Sequence, residues 1–213
     1  MILHDLTGSE EHAAYQALEI ENGARHYSFL ESIVAASLAV ERPFLSQSII
    51  KALNYHAIAC LHSSPGEYRP CLVAVGDYIP PPDYKVQSLM DDFVNIVNRQ
   101  WDKADPVVLC VFVLWRLNHI HPFINGNGRT ARAASYYVLC IKLGGWLRGD
   151  VILPELLRGE RPKYIEALKA ADESLKSGSL NLSELHALVV SLLDRQLYQS
   201  TPPDAANNPS KPG

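Results

Sequence analysis

A chain of 213 residues, 47% of them hydrophobic and 20% charged, has enough material for one globular unit with its own core. Its formal net charge of −4 excludes a dedicated nucleic-acid binder, which needs a basic stripe to displace counterions, but not a site for a single nucleotide. The longest near-continuous apolar run, 107–115, is too short to cross a membrane. Cys60, Cys71, Cys110 and Cys140 form no CxxC pair, and Cys110 and Cys140 lie in apolar runs that suit reduced thiols. With no basic, apolar leader at its start, the chain reads as cytosolic, a reading compatible with delivery as a secreted effector.

In chain order, Thr7 and Glu10 have the spacing of a capping box, and a helical pattern through Tyr15, Leu18 and Glu21 follows. A second helical stretch is predicted over about 28–40, interrupted by Pro43. A third covers 46–62, with Ile49, Ile50, Leu53, Ala57 and Leu61 on one face. Residues 65–82 then hold Pro65, Pro70, Pro80, Pro81 and Pro82 around a β-rich run, and Gly76-Asp77 predicts a small hairpin over 71–79. Helices are expected at 84–99 and, behind an Asp105 cap and a first-turn Pro106, from there to about 118. The latter is apolar nearly all round and should be the buried central element. Another should run over 128–143 and end at Gly144-Gly145. Asn181 and Glu184 start the last, with Leu185, Leu188, Val189, Leu192 and Leu193 inward. The polar, proline-rich tail 200–213 reads as disordered. The architecture is all-α with one hairpin.

Between the two central helices lies His121-Pro122-Phe123-Ile124-Asn125-Gly126-Asn127-Gly128-Arg129-Thr130-Ala131-Arg132. Two glycines around Asn127 let the backbone turn tightly and present its N–H groups where a helix begins, which makes an anion site. Arg129 and Arg132, three apart, share a helix face and can fork onto further phosphate oxygens. His121, at the end of the preceding helix, can take a proton from an incoming hydroxyl near neutral pH. A polyphosphate cradle beside a base is the equipment of phosphoryl or nucleotidyl transfer.

This segment resembles the H-P-F-x-(D/E)-G-N-G-R-x-x-R motif of the Fic (filamentation induced by cAMP) domain family, of the Fic/Doc superfamily, at every fixed position but one. Pro65-Gly66-Glu67-Tyr68-Arg69, the hairpin and Tyr78-Ile79-Pro80-Pro81-Pro82 resemble that family's flap. The approach 115–121 and the stretch 164–168 also look like their family counterparts, so that about 45–195 is covered. The resemblance implies a Fic-type helical bundle with the flap over the site. It divides the chain into N-terminal helices with an inhibitory role (1–44), a Fic core (45–199) and the tail.

It further implies a protein adenylyltransferase, in which His121 deprotonates a hydroxyl of a target protein and AMP is transferred from ATP. Gly126, Asn127 and Gly128 would hold the phosphates, Arg129 and Arg132 the outer ones, and Phe123 would anchor the loop. The target would dock on the 71–79 flap by strand addition. A homo-oligomer is compatible with this reading. The departure is Asn125, where the family has a carboxylate for Mg²⁺; a neutral amide implies a weakly held metal. Family members are often restrained by a helix bearing S/T-x-x-x-E-G/N. Here Glu21-Asn22 supplies its end without the Ser/Thr, which makes Glu21 the inhibitory candidate. Two other functions share the loop. One is a Doc-like protein phosphotransferase, disfavoured by Gly128 where those proteins carry lysine. The other, favoured by Asn125, is a catalytically weak nucleotide-sensing module that binds a protein through the flap.

Overall fold

The computed structural model describes residues 2–40 and 44–198, so Pro43 and the tail from Ser200 lie outside the described residues. Helices dominate: α1 (Leu3–Thr7), α2 (Ala13–Leu38), α3 (Gln47–Ile58), α4 (Asp83–Gln100), α5 (Pro106–Ile120), α6 (Asn127–Lys142), α7 (Leu153–Gly159), α8 (Arg161–Lys176) and α9 (Ser183–Tyr198). The all-α expectation holds for the described residues.

The centre is the α5–α6 pair. Asp105 Oδ1 accepts from Val107 N at 2.8 Å and Val108 N at 3.1 Å, and Pro106 occupies the first turn, so α5 starts where its sequence says. Leu109, Val113, Leu114, Leu117 and Ile120 are buried along it, each contributing about 1.5–3 kcal/mol by leaving water. The apolar coat is incomplete, since Val108 is 48% exposed. Ala131, Ala133, Ala134 and Ser135 of α6 are also buried, and their small side chains let α5 approach closely. The buried core is thus shared by the two helices on either side of the loop at 121–126. α3 and α2 pack on α6; α4, α8 and α9 pack on α5.

Three local expectations are corrected. Thr7 does not open a helix: its hydroxyl donates to Leu3 O at 2.8 Å inside α1, which Gly8 closes in the left-handed region. The cap of α2 is His12, whose Nδ1 accepts from Ala14 N at 3.2 Å. The two stretches expected before residue 40 are a single 26-residue helix that runs through Gly23. An interior glycine costs about 1 kcal/mol, and tertiary contact outweighs it here: the adjacent Asn22 is buried and donates to Ala59 O at 2.8 Å. Lastly, the hairpin over 71–79 is reduced to one antiparallel bridge, Val75 with Tyr78, and there is no strand among the described residues. Flanking prolines remove ladder donors, and the Arg69 guanidinium takes the carbonyls of Cys71 and Pro81 that a ladder would have used. α7 was not anticipated, and α9 turns its Leu185, Val189, Leu192 and Leu193 inward as expected.

Candidate active site

The loop between α5 and α6 is held from four sides. His121 caps α5 in the left-handed region (φ 50°, ψ 59°), an uncommon conformation for a non-glycine residue. Asn127 turns its side chain inward: Oδ1 accepts from Phe123 N at 2.9 Å and Nδ2 donates to Phe123 O at 2.8 Å. Its amide therefore clamps the loop, and only its main-chain N–H is left to face an anion. Phe123 is buried and bridges to Tyr68. Asn54, fully buried on α3, donates to Asn125 O at 2.9 Å and to Thr130 Oγ1 at 3.2 Å, and accepts from Gly66 N at 2.9 Å.

Gly126 is the N-cap of α6 at φ 76°, with no side-chain cap to take the first-turn N–H groups. A Cβ there would stand 2.6 Å from Ile58 Cγ2 and 3.0 Å from the Asn54 amide. Gly126→Ala is therefore expected to lower stability by about 2–4 kcal/mol, the sum of left-handed strain and overpacking. A urea midpoint equal to that of the parent would contradict this packing.

The N-terminus of α6 is an uncapped cluster of donors with the positive end of the helix dipole behind it. Arg129 and Arg132 follow on the same face. Arg129 Nη1 pairs with Glu19 Oε1 at 2.9 Å and Nη2 donates to Asn125 Oδ1 at 3.2 Å. Arg132 has no such partner: its Nε is buried and bonds to nothing among the described residues. Its Nη1 lies over Gly128, 3.3 Å from where a Cβ would be. An unpaired guanidinium beside free amide donors is what a bound polyphosphate would complete. His121, partly buried at the edge of this cluster, has its imidazole pKa lowered to about 4, by burial first and by the Arg69 charge, against a bond to the Asn118 carbonyl that raises it.

His121 thus closes α5 at one end of the loop, and Gly126, Asn127, Gly128, Arg129 and Arg132 form its other end and the start of α6. Two expectations part from the structure. Glu21 is exposed on the outer side of α2, and Glu19 is the carboxylate that reaches an arginine of the loop. Asn125 does not fit a metal: its Oδ1 already accepts from Gly126 N and Arg129, while its Nδ2 donates to Glu10 Oε1 at 3.1 Å. Among the described residues, no group of three or more His, Cys, Asp or Glu side chains could hold a metal ion. Tyr164 is core, its hydroxyl accepting from Asn118 at 2.8 Å.

The sequence reasoning missed three contributors. Asn54 stood out only as a polar residue near the apolar face of α3. Arg69 was visible in the flap pattern, but nothing indicated what it does. His119 Nδ1 donates to Asp172 Oδ1 at 2.8 Å, and its carbonyl accepts from the flap's Tyr78 hydroxyl at 2.7 Å. No local signal pairs residues that far apart.

Residues 44–139 match the model of the Fic/DOC family. The chain is 34% identical over 133 residues to "Protein adenylyltransferase Fic" of Drosophila willistoni, covering 61% of this chain and 25% of that protein. It therefore spans about a quarter of the length of the curated relatives it matches. Fic-1 (aa134–508) from C. elegans superposes with a TM-score of 0.66 at 22% identity, over 85% of this chain and 49% of that one. IbpAFic2 covalently tethered to Cdc42 does so at 0.53 and 17%, over 84% and 55%. At such identities these two likenesses concern the fold.

Proposed function

We propose, from the premise that this chain carries a Fic domain, that it is a protein adenylyltransferase transferring AMP from ATP to a hydroxyl side chain of a target protein. The observation that carries the reading is the uncapped start of α6 with the unpaired Arg132 on its first turns, across the loop from His121. Main-chain donors of Asn127 and Gly128 would cradle the phosphates, joined by that of Gly126 once it leaves Asn125 Oδ1, with Arg129 and Arg132 on the outer ones. His121 takes the proton of the target hydroxyl as its oxygen bonds to the α-phosphorus. The bond from that phosphorus to the α,β-bridging oxygen breaks, and pyrophosphate leaves. A pKa of about 4 keeps the resting imidazole neutral and so able to accept, and the negative charge of bound ATP would raise its basicity. Mg²⁺ would have to be carried by the nucleotide's own oxygens.

The target would dock on the 71–79 flap, where Leu72 and Ile79 are 67% and 77% exposed. A protein as target is in keeping with IbpAFic2, which is tethered to Cdc42. No described helix is long and apolar enough to cross a membrane. The unpaired thiols of Cys60 and Cys71 suit a cytoplasmic setting. Label transfer from α-labelled against γ-labelled ATP tests the assignment. AMP transfer labels the target with the first only, a Doc-like phosphotransferase with the second only, and a nucleotide-sensing module with neither.

The last outcome has one structural observation in its favour, since Glu19 and Asn125 already occupy Arg129. In the adenylyltransferase reading Glu19 restrains the site by competing with a phosphate. Glu19→Gln should then tighten ATP binding about three- to tenfold by calorimetry. Because the pair is 25% and 43% exposed, stability should change by less than about 1 kcal/mol. Glu21→Gln is the control and should change neither; equal ATP affinity in the Glu19 variant would remove the restraint.

A further inference from the structure

We propose that Arg69 is a positioning residue for the transfer reaction, fastening both ends of the 71–79 flap to the main chain of His121. Its guanidinium is spent on carbonyls alone. Nε donates to His121 O at 2.8 Å and Nη1 to Cys71 O at 2.9 Å, while Nη2 donates to Pro81 O and, at 3.5 Å, to Ile120 O. The main chain adds Arg69 N to Pro122 O at 2.8 Å. The residue is only 2% exposed and makes no ion pair among the described residues; Asp83 bears on it only through space.

Burying a guanidinium without a paired carboxylate is costly, so packing alone would favour an apolar side chain here. What the charge meets is the C-terminus of α5. The carbonyls of Ile120 and His121 lack intrahelical partners and sit at the negative end of the helix dipole, where a cation is favoured. One planar fork can hold carbonyls in several directions at fixed angles, which a lysine cannot. Two of those directions lead to the flap ends. Its third leads to the carbonyl of His121, and so sets the peptide plane from which the imidazole projects. A shift of the flap under a docked target therefore reaches the main chain of the base through the Arg69 side chain.

Electrostatics supply an independent reading of the same contact. Besides burial, the groups bearing on the His121 imidazole among the described residues are the Asn118 carbonyl and the Arg69 charge. Removing the Arg69 charge must therefore move the His121 titration upward.

The kinetic part of the test rests on the adenylyltransferase reading, and the titration part does not. Arg69→Lys and Arg69→Gln are compared with the parent by circular dichroism, ATP calorimetry, AMP transfer and histidine NMR titration. Both folded variants are expected to keep ATP affinity within about twofold and to lose at least about tenfold in kcat. His121 should titrate near its parent value in Arg69→Lys and higher in Arg69→Gln. An unmoved His121 titration in Arg69→Gln overturns the proposal whatever kcat does, as does parent-like kcat in both. Failure of both variants to fold makes Arg69 a core brace and overturns it too. If the parent transfers no AMP, the function assigned above fails, and the His121 titration alone decides for or against Arg69.

Discussion

Replacing His121 by alanine is expected to lower AMP transfer by about 10²–10⁴-fold, the usual contribution of a positioned general base, while ATP still binds within about threefold. The separation follows from where the atoms are. The phosphate donors lie on the first turn of α6 and on Arg129 and Arg132, whereas His121 ends α5 on the other side of the loop. Alanine in the left-handed conformation at φ 50° costs little more than histidine does, so the loop should persist. Acid stability gives a second readout. His121 and His26 are both held near a pKa of about 4, chiefly by burial, against about 6.5 when unfolded. A lowered folded-state pKa means that the unfolded chain binds the proton better. The stability held by each is complete above about pH 6.5 and is lost as the pH falls toward 4. With one of the two removed, unfolding free energy should decline less steeply between pH 6.5 and 4.5. Transfer at the parent rate would take His121 out of the mechanism.

The second large effect is expected at Arg132. Arg132→Met keeps most of the side-chain volume and removes the charge. A guanidinium that forks onto phosphate contributes about 1.5–3 kcal/mol per charged hydrogen bond, so ATP affinity should fall by at least about 10–100-fold. Folding should not suffer. Arg132 Nε is buried with no partner among the described residues, and Met leaves no new polar group unpaired. Unchanged or raised urea stability together with lost nucleotide binding is the signature of a residue held ready for a ligand. Arg129→Met would behave differently, because it also breaks the contacts to Glu19 and Asn125. If Arg132→Met unfolds at lower urea and binds ATP normally, the orphaned guanidinium is part of the scaffold and the phosphates lie elsewhere.

Much of the helical frame was legible because its signals are local. Asp105-Pro106 states where α5 begins and Gly144-Gly145 where α6 stops, and the structure agrees to within two residues at each. The loop of 121–132 was legible for the same reason, since its glycines, arginines and histidine are neighbours in sequence. Glu19 and Glu21 show where this ends. Two residues apart on a helix is a rotation of about 200°, so these two carboxylates face opposite ways, and only the docking of α2 decides which one meets Arg129. The 71–79 segment misled because its composition satisfies a hairpin, while Arg69 closes its ends from the core.

By itself, then, the sequence determined the order and most boundaries of the helices and the chemistry of the α5–α6 loop, because caps, glycine turns and side-chain periodicity act within a few residues. Tertiary structure alone decided that Asn54 braces the loop, that Asn127 clamps it, that Arg129 is occupied while Arg132 is not, and that Arg69 ties the flap to His121. Apart from the Asn127 clamp, these contacts join segments tens of residues apart. Their geometry follows from how α2, α3 and the flap pack around the central pair, and no stretch of sequence encodes that packing by itself.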